Sequence, residues 1–256
     1  MGSSLTPPPD SPGLASAREQ GSATGLASSA PGMPSVTAAD RPAQDRAGQD
    51  GSLVSLRIIE AAIAQFACAG FAGASTREIA RASGTAMSSI TYHFGGKEGL
   101  YLACADHVAE QIGAVHAPLL DQIRAHPPAD AESARTALLA LLENFARFML
   151  APQSERFSQF VVREQQRPTE AFERIYARVM APVLETAVGL LALARPSLDE
   201  QARRALVLHC LGMALVLRIA RACVARTMEA EDIDPETADM LIASVRRSAR
   251  TLLMES

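Results

Sequence analysis

Between Ser75 and Leu100 the chain reads S-T-R-E-I-A-R-A-S-G-T-A-M-S-S-I-T-Y-H-F-G-G-K-E-G-L, a dense run of short hydroxyls, flat rings and cations. Ser88, Ser89 and Thr91 carry donors and acceptors close to the backbone, and such side chains reach base edges or phosphate oxygens without bulk. Arg77 and Lys97 offer positive charge, which on a duplex displaces condensed counterions from phosphates. This is the chemistry of recognition. Bond-breaking chemistry has no parts here: the sequence shows no nucleophile–base–acid set, no Gly-rich phosphate loop and no metal-ligand cluster. His107, His116 and His126 lack metal spacing against Asp, Glu or Cys. No enzyme activity, no cofactor and no metal is therefore expected.

Positioning these groups requires particular elements. Leu56, Ile59, Ile63 and Phe66 recur at helical spacing, and order is expected from about Leu53 to a stop at Gly70. Ser75-Thr76-Arg77-Glu78 has the form of a capping box, opening a short helix through Ser83. Gly84 permits a sharp turn, and a third helix is expected over about Ala86–His93, ended by Gly95-Gly96. A fourth begins at Lys97. Ile79 and Ala80 should face inward with Ile90 and Phe94, and Ala82 and Ala86 should allow close packing at the turn. That leaves Met87, Ser88, Ser89, Thr91 and Tyr92 toward solvent or DNA. A short braced helix, a tight turn and a second polar-faced helix are what a helix-turn-helix needs. Periodicity alone leaves a plain three-helix bundle with a polar surface as the alternative.

Thr76-Arg77-Glu78-Ile79-Ala80, then Gly84, then Tyr92-His93-Phe94-Gly95-Gly96-Lys97-Glu98-Gly99-Leu100, resembles the DNA-binding signature of TetR-family repressors over about residues 53–101. The resemblance implies that Thr76, Arg77 and Lys97 meet phosphates and that Ser88, Ser89 and Thr91 face the groove. Tyr92 and His93 would sit against the DNA backbone. Two positions depart from the family: Thr85 replaces an apolar residue, and Ala86 stands where Ser or Asn usually caps the recognition helix. A lost cap costs on the order of 1 kcal/mol, unless Thr85 caps instead and shifts the helix by one residue. Farther on, Phe160-Val161-Val162-Arg163-Glu164, Arg167–Phe172 and Pro182 resemble the ligand domain of CecR-type TetR regulators, over about 99–226.

The rest of the chain is consistent with this. Residues 1–50 are rich in Pro, Gly, Ser and Ala with three Arg against five acids, so a disordered tail that is not a basic arm is expected. Beyond residue 99 every periodic stretch reads as helix: about 132–150, 154–166, 169–194 with a kink at Pro182, 198–227 and 235–254. The fold class is all-α, with a tail (1–50), a helix-turn-helix domain (51–98) and a helical ligand-binding and dimerisation domain (99–256). Phe145, Phe148, Phe160, Phe172 and Met180 suit either a cavity or a plain core. Arg163 and Glu164 suit a helix–helix ion pair or exposed charges on one reading and a polar anchor in an apolar pocket on the other, and His209 a core or interface histidine or a ligand contact. Leu206, Cys210, Met213 and Leu217, with Leu241 and Val245, form apolar rows on the last two helices and are expected at a dimer interface.

The net charge of −4 gives no global nucleic-acid signature. The four cysteines sit in apolar helical patterns and read as small buried hydrophobes; apolar runs such as Leu184–Ala194 read as too short for a membrane. The expected partners are double-stranded DNA, an unidentified small-molecule effector and a second copy of the chain, with no membrane and a cytoplasmic location. By resemblance the chain is a ligand-responsive repressor reading a palindromic operator.

Overall fold

In the computed structural model residues 43–254 are described, and all their regular elements are helical. The sequence reading of residues 1–42 lies outside them. The first helix, α1 (Ala43–Gly73), begins ten residues ahead of Leu53, so the end of the segment read as tail is helical. Then follow α2 (Thr76–Ser83), α3 (Met87–Phe94) and the long α4 (Lys97–Ala125). After them come α5 (Ala131–Leu150), a 3₁₀ turn (Pro152–Ser154), α6 (Glu155–Gln166) and α7 (Glu170–Ile175). A π turn (Tyr176–Met180), α8 (Ala181–Ala194), α9 (Glu200–Ile219), α10 (Arg221–Thr227) and α11 (Pro235–Met254) finish the chain.

Local bonds set most of these ends. Asp130 and Ser133 exchange the reciprocal bonds of a capping box at α5, while Asp199 and Thr169 accept from Ala202 N and Ala171 N at α9 and α7. Ser75 takes the extended conformation of a cap, yet its hydroxyl makes no cap bond, so the expected box at α2 is not formed. Gly70 sits at φ 70°, and α1 turns there rather than simply ending.

Two departures come from tertiary contacts. The helix expected over 198–227 breaks at Ala220, where α9 and α10 meet at 85°. No Pro or Gly announces the break. Arg218, just before it, is buried and donates to Ala151 O and Ser154 Oγ, while Arg221, just after it, pairs with Asp232 in the following loop. In the 169–194 stretch the irregularity lies one turn ahead of Pro182, as the π turn, because the proline leaves a backbone carbonyl of the preceding turn without its donor.

The core has two parts. Ile58, Phe66, Ile79, Ile90 and Leu100 from α1–α4 pack with Phe157 and Phe160 of α6 and Ile175 of α7. Leu138 and Leu142 of α5, Leu191 of α8, Ala214 of α9 and Val245 and Ala249 of α11 form the other. Phe145 packs on both. Thus α6 and α7, though later in the chain, belong with the helix-turn-helix core. Cys104 and Cys210 are buried, whereas Cys68 and Cys223 are exposed, against the uniform burial expected. Two helical stretches, Asp50–Gly73 and Glu170–Ala194, also prove long and apolar enough for a membrane span by length and composition, contrary to the sequence reading. The first carries Glu60, paired with His107 of α4 and Arg156 of α6.

Candidate nucleic-acid interface and ligand cavity

The turn between α2 and α3 is made by backbone and hydroxyls together. Gly84 adopts φ 67°, a left-handed conformation that only glycine takes without cost, and Thr85 N donates to Ala80 O at 2.9 Å. Ser83 is buried: its Oγ lies 3.1 Å from Ala80 O and 2.8 Å from Thr85 Oγ1. That bond occupies the Thr85 hydroxyl. Ala86 is the N-cap residue of α3, with no side-chain bond, so the one-residue shift does not occur. Ala82 and Ala86 are exposed, and Ser83 fills the packed position expected of them.

Ile90, with Ile79 and Ala80 beneath it, holds α3 to the core. The outward face then carries Met87 (56% exposed), Ser88, Thr91 and Tyr92 (85% exposed), while Ser89 is half-buried. On α2, Arg77 is exposed and Thr76 half-buried. Arg81, also exposed and one turn from Arg77, shares its side of the helix; the i, i+4 spacing was legible, but the sequence reading passed it over.

Two expected DNA contacts are engaged within the protein. His93 Nδ1 lies 3.1 Å from Ser55 Oγ of α1, and Lys97 Nζ lies 3.5 Å from Ala72 O and 4.9 Å from the Phe71 ring centroid. Both side chains thereby tie α1 to the elements that follow it, and Lys97 sits against the C-terminal end of α1, where a cation is favoured. Gly99 is sterically required: a Cβ there would overlap the Phe94 carbonyl oxygen, so α4 closes directly on the last turn of α3.

Among the described residues neither Arg163 nor Glu164 joins an ion pair to another helix, and neither lines the cavity below; Arg163 is exposed, as one reading expected, and Glu164 is buried. Arg163 Nη2 donates to Cys68 O at 2.8 Å and Ala67 O at 3.3 Å, and its guanidinium lies over Gly70 where a Cβ would clash. Buried Glu164 accepts from Tyr101 Oη at 2.5 Å, Thr169 Oγ1 at 2.7 Å, and the backbone N of Phe172 and Thr169 at 3.1 and 3.3 Å. Burial first, then that bond to Glu164, pushes the Tyr101 hydroxyl above its ordinary pKa of 10. Through these two residues α6 grips α1, α4 and the start of α7.

The opposite side of α6 lines a cavity of about 240 Å³ bounded also by α4, α5, the π turn, α8 and α9. Of the ligand candidates, Phe145, Phe148 and Met180 line it. Phe160 does not; it is buried 5.0 Å from the Tyr101 ring in the other core. Phe172 packs beside Tyr176, and His209 is exposed on α9. The sequence reading missed Ile112, His116, Ser158 and Leu215, which the cavity brings together from three helices. A polar Ser on an otherwise apolar helical side was the one available signal.

The expected dimer rows are largely internal. Cys210, Leu217 and Val245 are buried in the protomer, and Leu206, Met213 and Leu241 are partly buried against the same core. A helix apolar on every side presents several rows, and α5, α8 and α11 cover these ones. The row that α9 leaves exposed is Ala205, Leu208, Gly212, Val216 and Ile219.

A sequence profile described as bacterial regulatory proteins, tetR family, matches residues 58–104, and one for the C-terminal domain of the HTH-type transcriptional dual regulator CecR matches 134–255. The chain belongs to the TetR family. Among curated relatives, the HTH-type transcriptional dual regulator CecR of Shigella flexneri is 35% identical to this TetR-family chain over 145 residues, 56% of this chain and 65% of the relative. The HTH-type transcriptional regulatory protein RaaS of Mycobacterium tuberculosis is 54% identical over 56 residues, 22% of this chain and 26% of the relative. The chain thus spans just under two thirds of the first relative and about a quarter of the second. Among solved structures, a TetR-like transcriptional regulator from Rhodococcus sp. RHA1 superposes with a TM-score of 0.56 at 18% identity, covering 79% of this chain and 97% of that one. The transcriptional regulator FadR from Bacillus subtilis, in complex with stearoyl-CoA, gives 0.52 at 18%, covering 78% and 97%. These structures share the fold of this TetR-family chain, an N-terminal helix-turn-helix followed by a helical domain.

Proposed function

We propose that this TetR-family protein is a cytoplasmic transcriptional regulator that binds double-stranded DNA as a homodimer and is controlled by a small molecule in the α4–α9 cavity. The observation that carries the reading is the outward row on α3: Met87, Ser88, Thr91 and Tyr92 face away from a core that Ile90 anchors. Arg77 and Arg81 flank it as phosphate partners, with Thr76 and Ser89 at its edge. His93 and Lys97 act mainly by bracing α3 and α4 against α1. A second copy on the exposed face of α9 would set two recognition helices over successive major grooves, roughly 34–36 Å apart on a palindromic operator. Repression is the direction proposed, as the resemblance implies.

Control would pass through α6. One side of it meets the cavity at Ser158 and Val161, and its Arg163 and Glu164 hold α1 and α4. A ligand shifts the heads only by its difference in affinity for the two arrangements.

A gel-shift titration against DNA upstream of the protein's own gene tests the function. A discrete complex that outlasts competitor DNA is expected, with Arg77→Ala lowering the salt slope by about one unit through loss of one phosphate contact. Binding no stronger than to random DNA at every salt concentration overturns the reading.

A further inference from the structure

We infer that the cavity takes an uncharged, mainly apolar molecule the size of one substituted ring, bearing a single hydroxyl that pairs with Ser158 and His116. This rests on reading the cavity as the effector site and specifies what that effector is.

Charge is the first constraint. No Asp, Glu, Lys or Arg lines the cavity. A carboxylate, phosphate or ammonium inside it would lose its water and meet no counter-charge, which is strongly unfavourable. His116 supplies none: it is 4% exposed, and burial holds its pKa below the ordinary 6.5.

The polar groups are the second. Ser158 is 6% exposed and its Oγ has no hydrogen-bond partner among the described residues. A buried hydroxyl left unpaired costs free energy that a bound partner recovers. His116 Nδ1 lies 2.6 Å from Asn144 Oδ1. An amide oxygen only accepts, so Nδ1 carries the proton and Nε2 keeps its lone pair as an acceptor. The site therefore offers one hydroxyl that can donate and one nitrogen that can only accept. A ligand hydroxyl satisfies both at once, accepting from Ser158 and donating to Nε2. A carbonyl or ether would leave Nε2 bare, and a carboxylate would oppose its lone pair.

Size is the third. An apolar cavity of roughly 150 Å³ holds one benzene, so 240 Å³ holds a ring with a short branched substituent, on the order of ten heavy atoms by the same ratio. Phe148, Met149 and Ile175 form its buried walls, while exposed Gln165 of α6 marks a mouth clear of the α9 face proposed for the second copy.

The test uses three matched probes on the full-length protein at neutral pH: para-isopropylphenol, para-cymene and para-isopropylbenzoate, followed by ligand-observed NMR titration. The phenol is expected to bind at least tenfold more tightly than the other two. Ser158→Ala should cut phenol affinity about tenfold and leave para-cymene within twofold. Because that hydroxyl has no partner, the variant should melt no lower than the parent; His116→Phe, read the same way, should narrow the phenol's advantage independently. Equal affinities for phenol and cymene, or benzoate binding as tightly as the phenol, overturn the inference. No binding of any probe by a protein that still shifts its operator overturns the ligand class and leaves the regulator reading standing. Phenol selectivity in a protein that shifts no DNA does the reverse.

Discussion

Replacing Tyr101 by Phe removes one hydroxyl from the contact that joins α4 to α6. Tyr101 Oη sits 2.5 Å from Glu164 Oε1, and both residues are buried. A hydrogen bond to a carboxylate contributes about 1.5–3 kcal/mol. Glu164 keeps its donors from Thr169 and Phe172 in this variant, so its charge is not orphaned and a loss near about 2 kcal/mol is expected. Glu164→Ala is more severe. It leaves the Tyr101 hydroxyl and the Thr169 N–H and hydroxyl without their acceptor, while Phe172 N keeps its bond to Thr169 O, for about 3–5 kcal/mol. In the double variant the tyrosine hydroxyl is no longer stranded, so the combined loss should fall short of the sum by roughly 1.5–3 kcal/mol. Urea unfolding at one fixed protomer concentration measures all four corners of the cycle, since the proposed dimerisation would otherwise move the midpoint. If Tyr101→Phe lies within about 0.5 kcal/mol of the parent, or the two changes simply add, Glu164 does not tie the two regions together and the reasoning fails.

Gly99→Ala forces a Cβ against the Phe94 carbonyl, where backbone meets backbone and cannot yield; a loss of about 2–3 kcal/mol with loosened α3 amides is expected in hydrogen exchange. Protonation of His116 is opposed by burial, so below its ordinary pKa of 6.5 the unfolded chain binds a proton that the folded one refuses. Stability should therefore fall as pH drops from about 7 toward the folded-state value, and His116→Phe should flatten that part of the profile. Val216→Arg places a charge on the exposed side of α9 and should yield folded monomers in sedimentation, with an unfolding midpoint that no longer depends on protomer concentration. Met213→Arg, packed against the protomer's own core, should instead lower stability.

The α2–turn–α3 unit was legible because its signals act within a few residues. Gly84 and Gly95 stop helices through their own φ, and the expected limits of α5 and α6, set near Pro128, Pro152 and Pro168, agree with the structure to within one residue. The outward row on α3 also followed from periodicity, since Ile90 alone among its neighbours had to face inward. Even the doubt over Thr85 was local in kind, and a single hydroxyl bond from Ser83 resolved it.

What lay beyond the sequence were the questions that a second segment answers. An apolar row on a helix must be covered, but its spacing does not say by what. Cys210 and Leu217 looked available to a partner until α5 and α11 took that side of α9, leaving Leu208, Gly212 and Val216 outside. Arg163 and Glu164 could be an interhelix ion pair, exposed charges or a pocket anchor by sequence; the end of α1 and Tyr101 of α4, some sixty to a hundred residues earlier, supply their partners instead. Phe145 and Phe160 are alike in type and setting, yet one meets the cavity and the other the core, because α6 turns Phe160 away from the cavity that it lines with Ser158 and Val161. Helix limits, turn and recognition face were thus determined by chemistry within one or two turns of chain. Cavity, domain contact and exposed α9 face were decided only by tertiary structure, because burial depends on which distant helix arrives, and local sequence carries no record of it.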